Sequence, residues 1–562
     1  MIGFGKRALT RRAFLRGTAA TTAAASLSAC ANGTSPTKGG ADDQAKDASA
    51  QPKQSKVAIL HTNDTHGYDL RNDESLGMAA VAQLKVDWEA KGYEVLLLDA
   101  GDAVQGSNLV NRSSGDVAIE FMNLVGYDAM ALGNHEFDFG QDKIEDYSKA
   151  ATFPLLSSNV IVDKTGDTLV DANTILTLAD GRKVGVFALT TPETYTKSNP
   201  LYMQGLTIYA ESDLYACAQR QVNELRDKGC DLVVCLGHLG ESDNSNPNRA
   251  KDVIKNISGL DLFINGHDHV EESQELKDAD GNKVLVVEAG CYTHLVGVVT
   301  WEDGTLASQM IRPEEYDGQE PEVAAAVQRE NDAMEAELSE VIATTPFLLN
   351  GEAAPGVLTQ ETNLSDLIAD AILWQAQQTS EDTPDLALIS GGSIRASVQE
   401  GDITQGDVLD VLPYLNRICT IRLKGSQLLE ALEAGCCVAP KKFGGFPQVS
   451  GIEFAIDTSV EYKKGDKYPN STYYAPADPG SRITISTING KAFDEGATYT
   501  VASTDFLCYG GDTYHAFLQA ANRTLKSTDC IIADSVIRYL QEPCGGEVPP
   551  EYAEAQGRIS VT

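Results

Sequence analysis

The stretch Ala131-Leu132-Gly133-Asn134-His135-Glu136-Phe137-Asp138-Phe139-Gly140 sets an amide, an imidazole and two carboxylates directly behind the apolar run Ala129-Met130-Ala131-Leu132. The run reads as a buried strand that stops at polar chemistry. Buried polar groups are costly unless something satisfies them, and a metal or a reacting phosphate does so where packing does not. Four more runs end in the same way. Lys56 to Leu60 leads into His61-Thr62-Asn63-Asp64-Thr65-His66-Gly67, and Val95 to Leu98 into Asp99-Ala100-Gly101-Asp102. Leu232 to Leu236 leads into Gly237-His238, and Leu262 to Ile264 into Asn265-Gly266-His267-Asp268-His269. In layered α/β folds the carboxyl ends of parallel strands converge on one crevice, so these distant segments can share a site. Six of the eight histidines lie in them, which makes a shared site a better account than scattered surface histidines.

Outward from these strand ends the chain divides into zones. Residues 1–30 read as an export leader: Thr10-Arg11-Arg12-Ala13-Phe14-Leu15-Arg16 resembles a twin-arginine signal. Leu27-Ser28-Ala29-Cys30 resembles a bacterial lipobox, with Cys30 the lipidated residue. Residues 31–55, rich in Gly, Ala, Ser, Asp and Lys without apolar period, read as a flexible tether. No later run reaches the roughly 20 apolar residues of a spanning helix, so the expected membrane contact is the lipid anchor alone and the expected location the cell envelope, outside the cytoplasm.

Residues 56–313 alternate short apolar runs with longer mixed segments, an α/β sandwich pattern. Residues 314–345 read as a linker containing a Gly-free, Ala-rich helix from Pro321 to Thr345. Residues 346–562 combine a helix from Leu364 to about Gln378 with β-rich stretches, an α+β second domain. With 44 Lys and Arg against 81 Asp and Glu, the net charge of -37 excludes electrostatic binding to nucleic acid or an anionic membrane. An anionic substrate must then be attracted locally.

Asn63-Asp64-Thr65-His66, Gly101-Asp102-Ala103-Val104-Gln105-Gly106, Gly133-Asn134-His135-Glu136, Gly237-His238 and Gly266-His267-Asp268-His269 together resemble the signature of calcineurin-like metallophosphatases, specifically the 5′-nucleotidase and UDP-sugar hydrolase family. The resemblance runs from about Lys56 to the C-terminus. It implies an N-terminal αββα sandwich that carries two divalent metal ions, Zn or Mn with Mg, Co or Ca as alternatives, and a C-terminal substrate-binding domain. It implies that Asp64, His66 and His269 hold one metal, that Asn134, His238 and His267 hold the other, and that Asp102 bridges them. His269 stands where relatives often carry Gln or Asn. His135 and Asp138 become a catalytic dyad, the imidazolium stabilising charge on the phosphate or leaving oxygen and the carboxylate orienting it.

In the second domain the resemblance points to Ser390-Gly391-Gly392-Ser393-Ile394-Arg395, with Arg395 as a fork for phosphate. Phe446 and Phe506, each in a Gly-rich loop, match a pair of aromatics that sandwich a base, and Asp512 is placed to accept ribose hydroxyl protons. Leu358 and Ser390 depart from the family, where Arg and Asn are frequent. The implied activity is hydrolysis of nucleoside 5′-phosphates, extending to UDP-sugars and to di- and triphosphates. Alternatives are a 2′,3′-cyclic-nucleotide phosphodiesterase of the same superfamily and a non-catalytic nucleotide-binding lipoprotein. Disulfide pairing and oligomeric state are left open.

Overall fold

Strands buried on both faces read as continuous apolar runs rather than alternating ones, and the strand-end segments sit on such strands. A computed structural model describes residues 56–380, 382–519 and 526–562. The expected leader with Cys30 and the tether lie outside the described residues.

The first half is built on two six-stranded mixed sheets. In one, Lys56–Thr62 pairs in parallel with Tyr93–Asp99, which pairs in parallel with Ala129–Ala131. In the other, Leu232–His238 lies in parallel between Lys183–Thr190 and Leu262–Asn265. Side chains alternate along each strand. Val57 and Ile59 therefore join Val186, Val234 and Ile264 in a core between the sheets, while Ala58 and Leu60 face the helices Gly77–Ala90 and Asp116–Val125. Phe187, Val233 and Phe263 face Glu211–Asp227 and Ala250–Asn256 on the far side. The layers are helix, sheet, sheet, helix, as the αββα expectation requires.

The connecting helix is shorter than its composition suggests. It spans Pro321–Leu338 and packs Val323 and Val327 into the first half's core. Beyond it, Val341–Thr345 is a strand antiparallel to Gly401–Thr404. Four of those five residues are β-branched, and pairing with a partner some sixty positions away outweighs the helical tendency of the preceding segment. In the second half a five-stranded sheet containing Leu386–Ser390 and Thr498–Thr504 is joined by a four-stranded one around Ile452–Ile456. The helix Asn363–Thr379, expected from Leu364 to about Gln378, starts at a reciprocal cap between Thr362 and Ser365. Among the described residues no helix is long and apolar enough to cross a membrane. The described residues fall within one compact unit.

The sheet tolerates His61 at its centre because its cross-strand neighbour is Gly297. A Cβ on Gly297 would stand 1.9 Å from His61 Nε2. Gly297→Ala is therefore expected to cost about 1–3 kcal/mol of stability by overpacking. Urea unfolding with an unchanged midpoint would show that the strand pair can open to admit a methyl group.

Candidate active site

Every strand-end segment reaches one cavity or its floor, although not every histidine in them does. His61 itself stays in the sheet, fully buried, with burial pushing its imidazole down to about 3, so it is neutral. Two three-residue groups of ligand atoms form: Asp64, His66 and His269, and Asp102, His238 and His267. Asp102 Oδ2 lies 3.0 Å from His238 Nε2 and 4.0 Å from His66 Nε2, which puts it between the groups. Asp64 Oδ1 lies 3.4 Å from His269 Nε2 and 3.9 Å from His238 Nε2.

The ring orientations are fixed from behind. His66 Nδ1 bonds to Gln105 O at 2.7 Å and His238 Nδ1 to Ala100 O at 2.8 Å, which leaves both Nε2 atoms facing the centre. The loops that deliver them are strained. Asp64, His66, Asp102, His267 and His269 all have positive φ, a region that costs a non-glycine residue energy and persists only where the surroundings impose it. Gly133 permits the closest approach of two of these loops, since a Cβ there would meet Asp102 Oδ1 at 2.3 Å.

Two observations test whether this set suits divalent cations. Asn134 Oδ1 and His238 Nε2 are buried without hydrogen-bond partners, although His238 Nε2 is within 3.0 Å of a carboxylate oxygen. The electrostatics agree. Burial opposes charge on His238 and His269, yet Asp102 and Asp64 push His238 up to about 10, and Asp64 with Cys291 pushes His269 up to about 12. Against the same burial, His238 and His269 bring Asp64 down to about 2. The pocket demands positive charge, and hard carboxylates with imidazoles and an amide fit a divalent ion.

Beside these groups, His135 Nδ1 lies 2.6 Å from Asp138 Oδ2, and the main-chain N–H of His135 donates to Asp102 Oδ1 at 2.7 Å. Burial lowers the His135 imidazole, but Asp138 and Asp102 outweigh it and leave it above its ordinary value. Burial moves Asp138 upward as well, against the pull of His135.

The cavity encloses about 840 Å³ between the two halves. Arg395, Ser390, Gly392, Phe506 and Asp512 from the second half line it, opposite His135 and the two ligand groups. Two residues expected on this wall lie behind it. Phe446 does not line the cavity: its ring is fully buried in the apolar cluster with Leu432, Leu507 and Phe517, because the residue opens the Pro447–Ser450 strand and turns into the core. Gly391 is also absent from the lining. Its N–H donates to Phe446 O, and a Cβ would strike Val357 O at 2.0 Å, so the glycine serves chain packing. Ser390 Oγ lies 3.1 Å from Ser393 Oγ, and Leu358 packs against the helix-side core.

Sandwiched sheets, strand-end carboxylates and imidazoles in two groups, and a second half closing over them define a dinuclear metallohydrolase. Residues 57–271 match the family described as calcineurin-like phosphoesterase, and residues 341–519 the 5′-nucleotidase C-terminal domain. The chain belongs to the 5′-nucleotidase family of calcineurin-like metallophosphatases. It is 30% identical over 545 residues to the trifunctional nucleotide phosphoesterase protein YfkN of Bacillus subtilis, covering 90% of this chain and 35% of that protein. It thus spans about a third of that relative. A 5′-nucleotidase of Vibrio cholerae is 29% identical over 510 residues, 82% of this chain and 86% of that one. The crystal structure of a 5′-nucleotidase precursor from Thermus thermophilus superposes with a TM-score of 0.72 at 29% identity, covering 90% of this chain and 99% of the other.

Sequence reasoning missed several residues that hold the site. Glu136 accepts the N–H groups of Asp102, Ala103 and Gly133 at 2.7–2.9 Å and so ties two ligand loops together. Tyr414 stacks over His135 at 6.1 Å between ring centroids. Glu193 bonds to His267 Nε2 at 2.7 Å. Its own Glu193-Thr194 segment follows an apolar strand, the one signal in the sequence that could have marked it.

Asp69, behind the first ligand loop, is 1% exposed and neither carboxylate oxygen has a partner. Burial raises it to about 7. An acid whose folded-state value is raised gives stability that is complete below its ordinary value and is lost as pH rises from about 4 to about 7. Asp69→Asn removes that loss. In excess chelator, urea midpoints of the wild type should fall further than those of the variant between about pH 5 and about pH 8, and parallel curves would show that Asp69 is solvated in the folded chain.

Proposed function

We propose that this chain hydrolyses nucleoside 5′-phosphates to nucleoside and phosphate, with UDP-sugars and nucleoside di- and triphosphates as further substrates. The observation that carries the reading is the facing of the His135–Asp138 pair and the two ligand groups, with Asp102 between them, by Arg395 and Phe506 across one cavity. Asp64, His66 and His269 would hold one cation and Asn134, His238 and His267 the other, with Asp102 shared. Zn or Mn suits this mixture of imidazole and carboxylate best. When bound, such a pair supplies Lewis-acid polarisation of the phosphoryl group and lowers the pKa of water.

The protein's own groups supply position and protons. Asp138 holds the imidazole of His135 so that the ring's other nitrogen faces the cavity, where its proton stabilises charge on the phosphate or leaving oxygen. Arg395 offers two parallel N–H donors to the phosphate. Phe506, 9% exposed and at the cavity wall, offers a ring face to the base. Asp512 is shared between a ribose hydroxyl and Lys197, whose Nζ is 3.6 Å away. With Phe446 in the core, the base is gripped on one aromatic face only. The order of basic, apolar and small residues up to Cys30 supports action outside the cytoplasm on a lipid anchor.

The chain from Ala31, supplied with Mn or Zn, is expected to release inorganic phosphate from AMP and to stop when chelated. His135→Ala should lower turnover about a hundredfold or more while both cations stay bound. Phosphate release at the wild-type rate by that variant would remove His135 from the chemistry. Release from a 2′,3′-cyclic nucleotide alone would transfer the reading to a phosphodiesterase.

A further inference from the structure

Among the ligand groups, the one formed by Asn134, His238 and His267 is braced by a single short segment, Glu193 to Ser198, that also touches the second half. Glu193 is 4% exposed and caps the one-turn helix Thr194–Lys197. One of its oxygens, Oε2, lies 2.7 Å from His267 Nε2, and the other, Oε1, accepts from Thr472 Oγ1 at 3.4 Å. Five residues on, Ser198 Oγ donates to the carbonyl of Asn134. Between these points, Thr196 O accepts the main-chain N–H of Asp512 at 2.8 Å, and Lys197 Nζ lies 3.6 Å from the Asp512 carboxylate. The segment thus has its inner side on two candidate ligands and its outer side on the wall proposed to bind ribose.

A histidine that ligates a metal commonly gives its second ring N–H to a carboxylate or carbonyl, which fixes the tautomer and makes the ring a stronger donor. His66 and His238 use main-chain carbonyls for this; His267 alone uses a carboxylate. We propose that Glu193 is the positioning residue of the second cation: it holds His267 with Nε2 protonated and Nδ1 left to ligate, and it passes docking of the nucleoside-binding half on to that cation site. Asp64 and Asp102 already carry the charge the cations require, so the buried Glu193 carboxylate, 2.7 Å from His267 Nε2, serves the ring rather than the ions. The inference rests on the two-cation reading of the site above.

The experiment titrates Mn²⁺ into chelator-stripped chain, following binding by loss of the free-ion electron paramagnetic resonance signal. The wild type should bind two ions and show a spin-coupled pair. In Glu193→Gln, which keeps the shape and removes the charge, one ion should bind about 10 to 100 times more weakly and the coupled signal should disappear at equal Mn²⁺, while the other ion binds as before. His267→Ala identifies the affected site, and the double variant should bind no more weakly than His267→Ala alone. Saturating adenosine should tighten the weaker ion several-fold in the wild type and leave it unchanged in Glu193→Gln. Two wild-type Mn²⁺ affinities in Glu193→Gln, or additive losses in the double variant, would overturn the positioning role. An adenosine effect that is absent from the wild type or survives in the variant would overturn the coupling. Should Glu193→Gln lose its circular dichroism, Glu193→Asp, whose carboxylate is withdrawn by one methylene, carries the same expectation and the same refutation. A wild type that binds fewer than two Mn²⁺ would instead refute the two-cation reading.

Discussion

The structure depends on a concentration of buried carboxylate that has to be met by positive charge. Asp64 and Asp102 are fully or almost fully buried, and the imidazoles aimed at them, which burial alone would keep neutral, are driven toward the charged form at His238 and His269. Carboxylates in such a place cost several kcal/mol each unless paired. The chain pays for their position with backbone as well, holding five of these residues at positive φ. Such a loop set is stable only when its ends are fixed, and parallel strands buried on both faces fix them. The double-sheet core is therefore the reason that the site can exist before any ligand arrives.

Charge also explains the division of labour between the halves. The first half gathers ligands at strand ends and leaves little cationic surface around them. The second contributes Arg395 and Arg417 to the cavity wall, with Lys197 entering from the first half. At a net charge of -37 the far field repels a nucleotide, but screening limits that field to about 8 Å at physiological salt. What a phosphate meets inside the cavity is set by those few cations and the ions the ligands demand.

Much of the first half was legible in the sequence because each signal is local. An apolar run followed by Asp, Asn or His names both a strand and what it carries, and the parallel-sheet rule supplies the convergence. The bracing groups were not legible. Glu136 and Glu193 act on loops or rings distant in sequence, and a carboxylate that accepts main-chain N–H groups looks like any other in a one-dimensional reading. The two second-half residues that the cavity lining does not include share one feature. Phe446 and Gly391 sit in Gly-rich stretches that suggest exposure, yet the loop 444–446 folds back on 391–392 through two main-chain hydrogen bonds. Glycines there let two backbones meet, which turns Phe446 inward.

That inward turn bears on specificity. With a base held between two aromatic rings, stacking on both faces would add affinity whichever base is present, since every base has a π face. Phe506 alone gives about half of that contact. On the proposed reading, discrimination then shifts toward the groups that would fix the sugar and phosphate: Asp512, already tied to Lys197, and Arg395, which shares the cavity wall with Tyr414 and Tyr292. Tyr414 also covers His135, so the residue that shares the wall with the phosphate fork flanks the acid as well. On the proposed reading, a pocket arranged in this way would read the phosphate and ribose closely and the base loosely. It suits an enzyme whose fixed features are charge and geometry rather than the identity of one nucleobase.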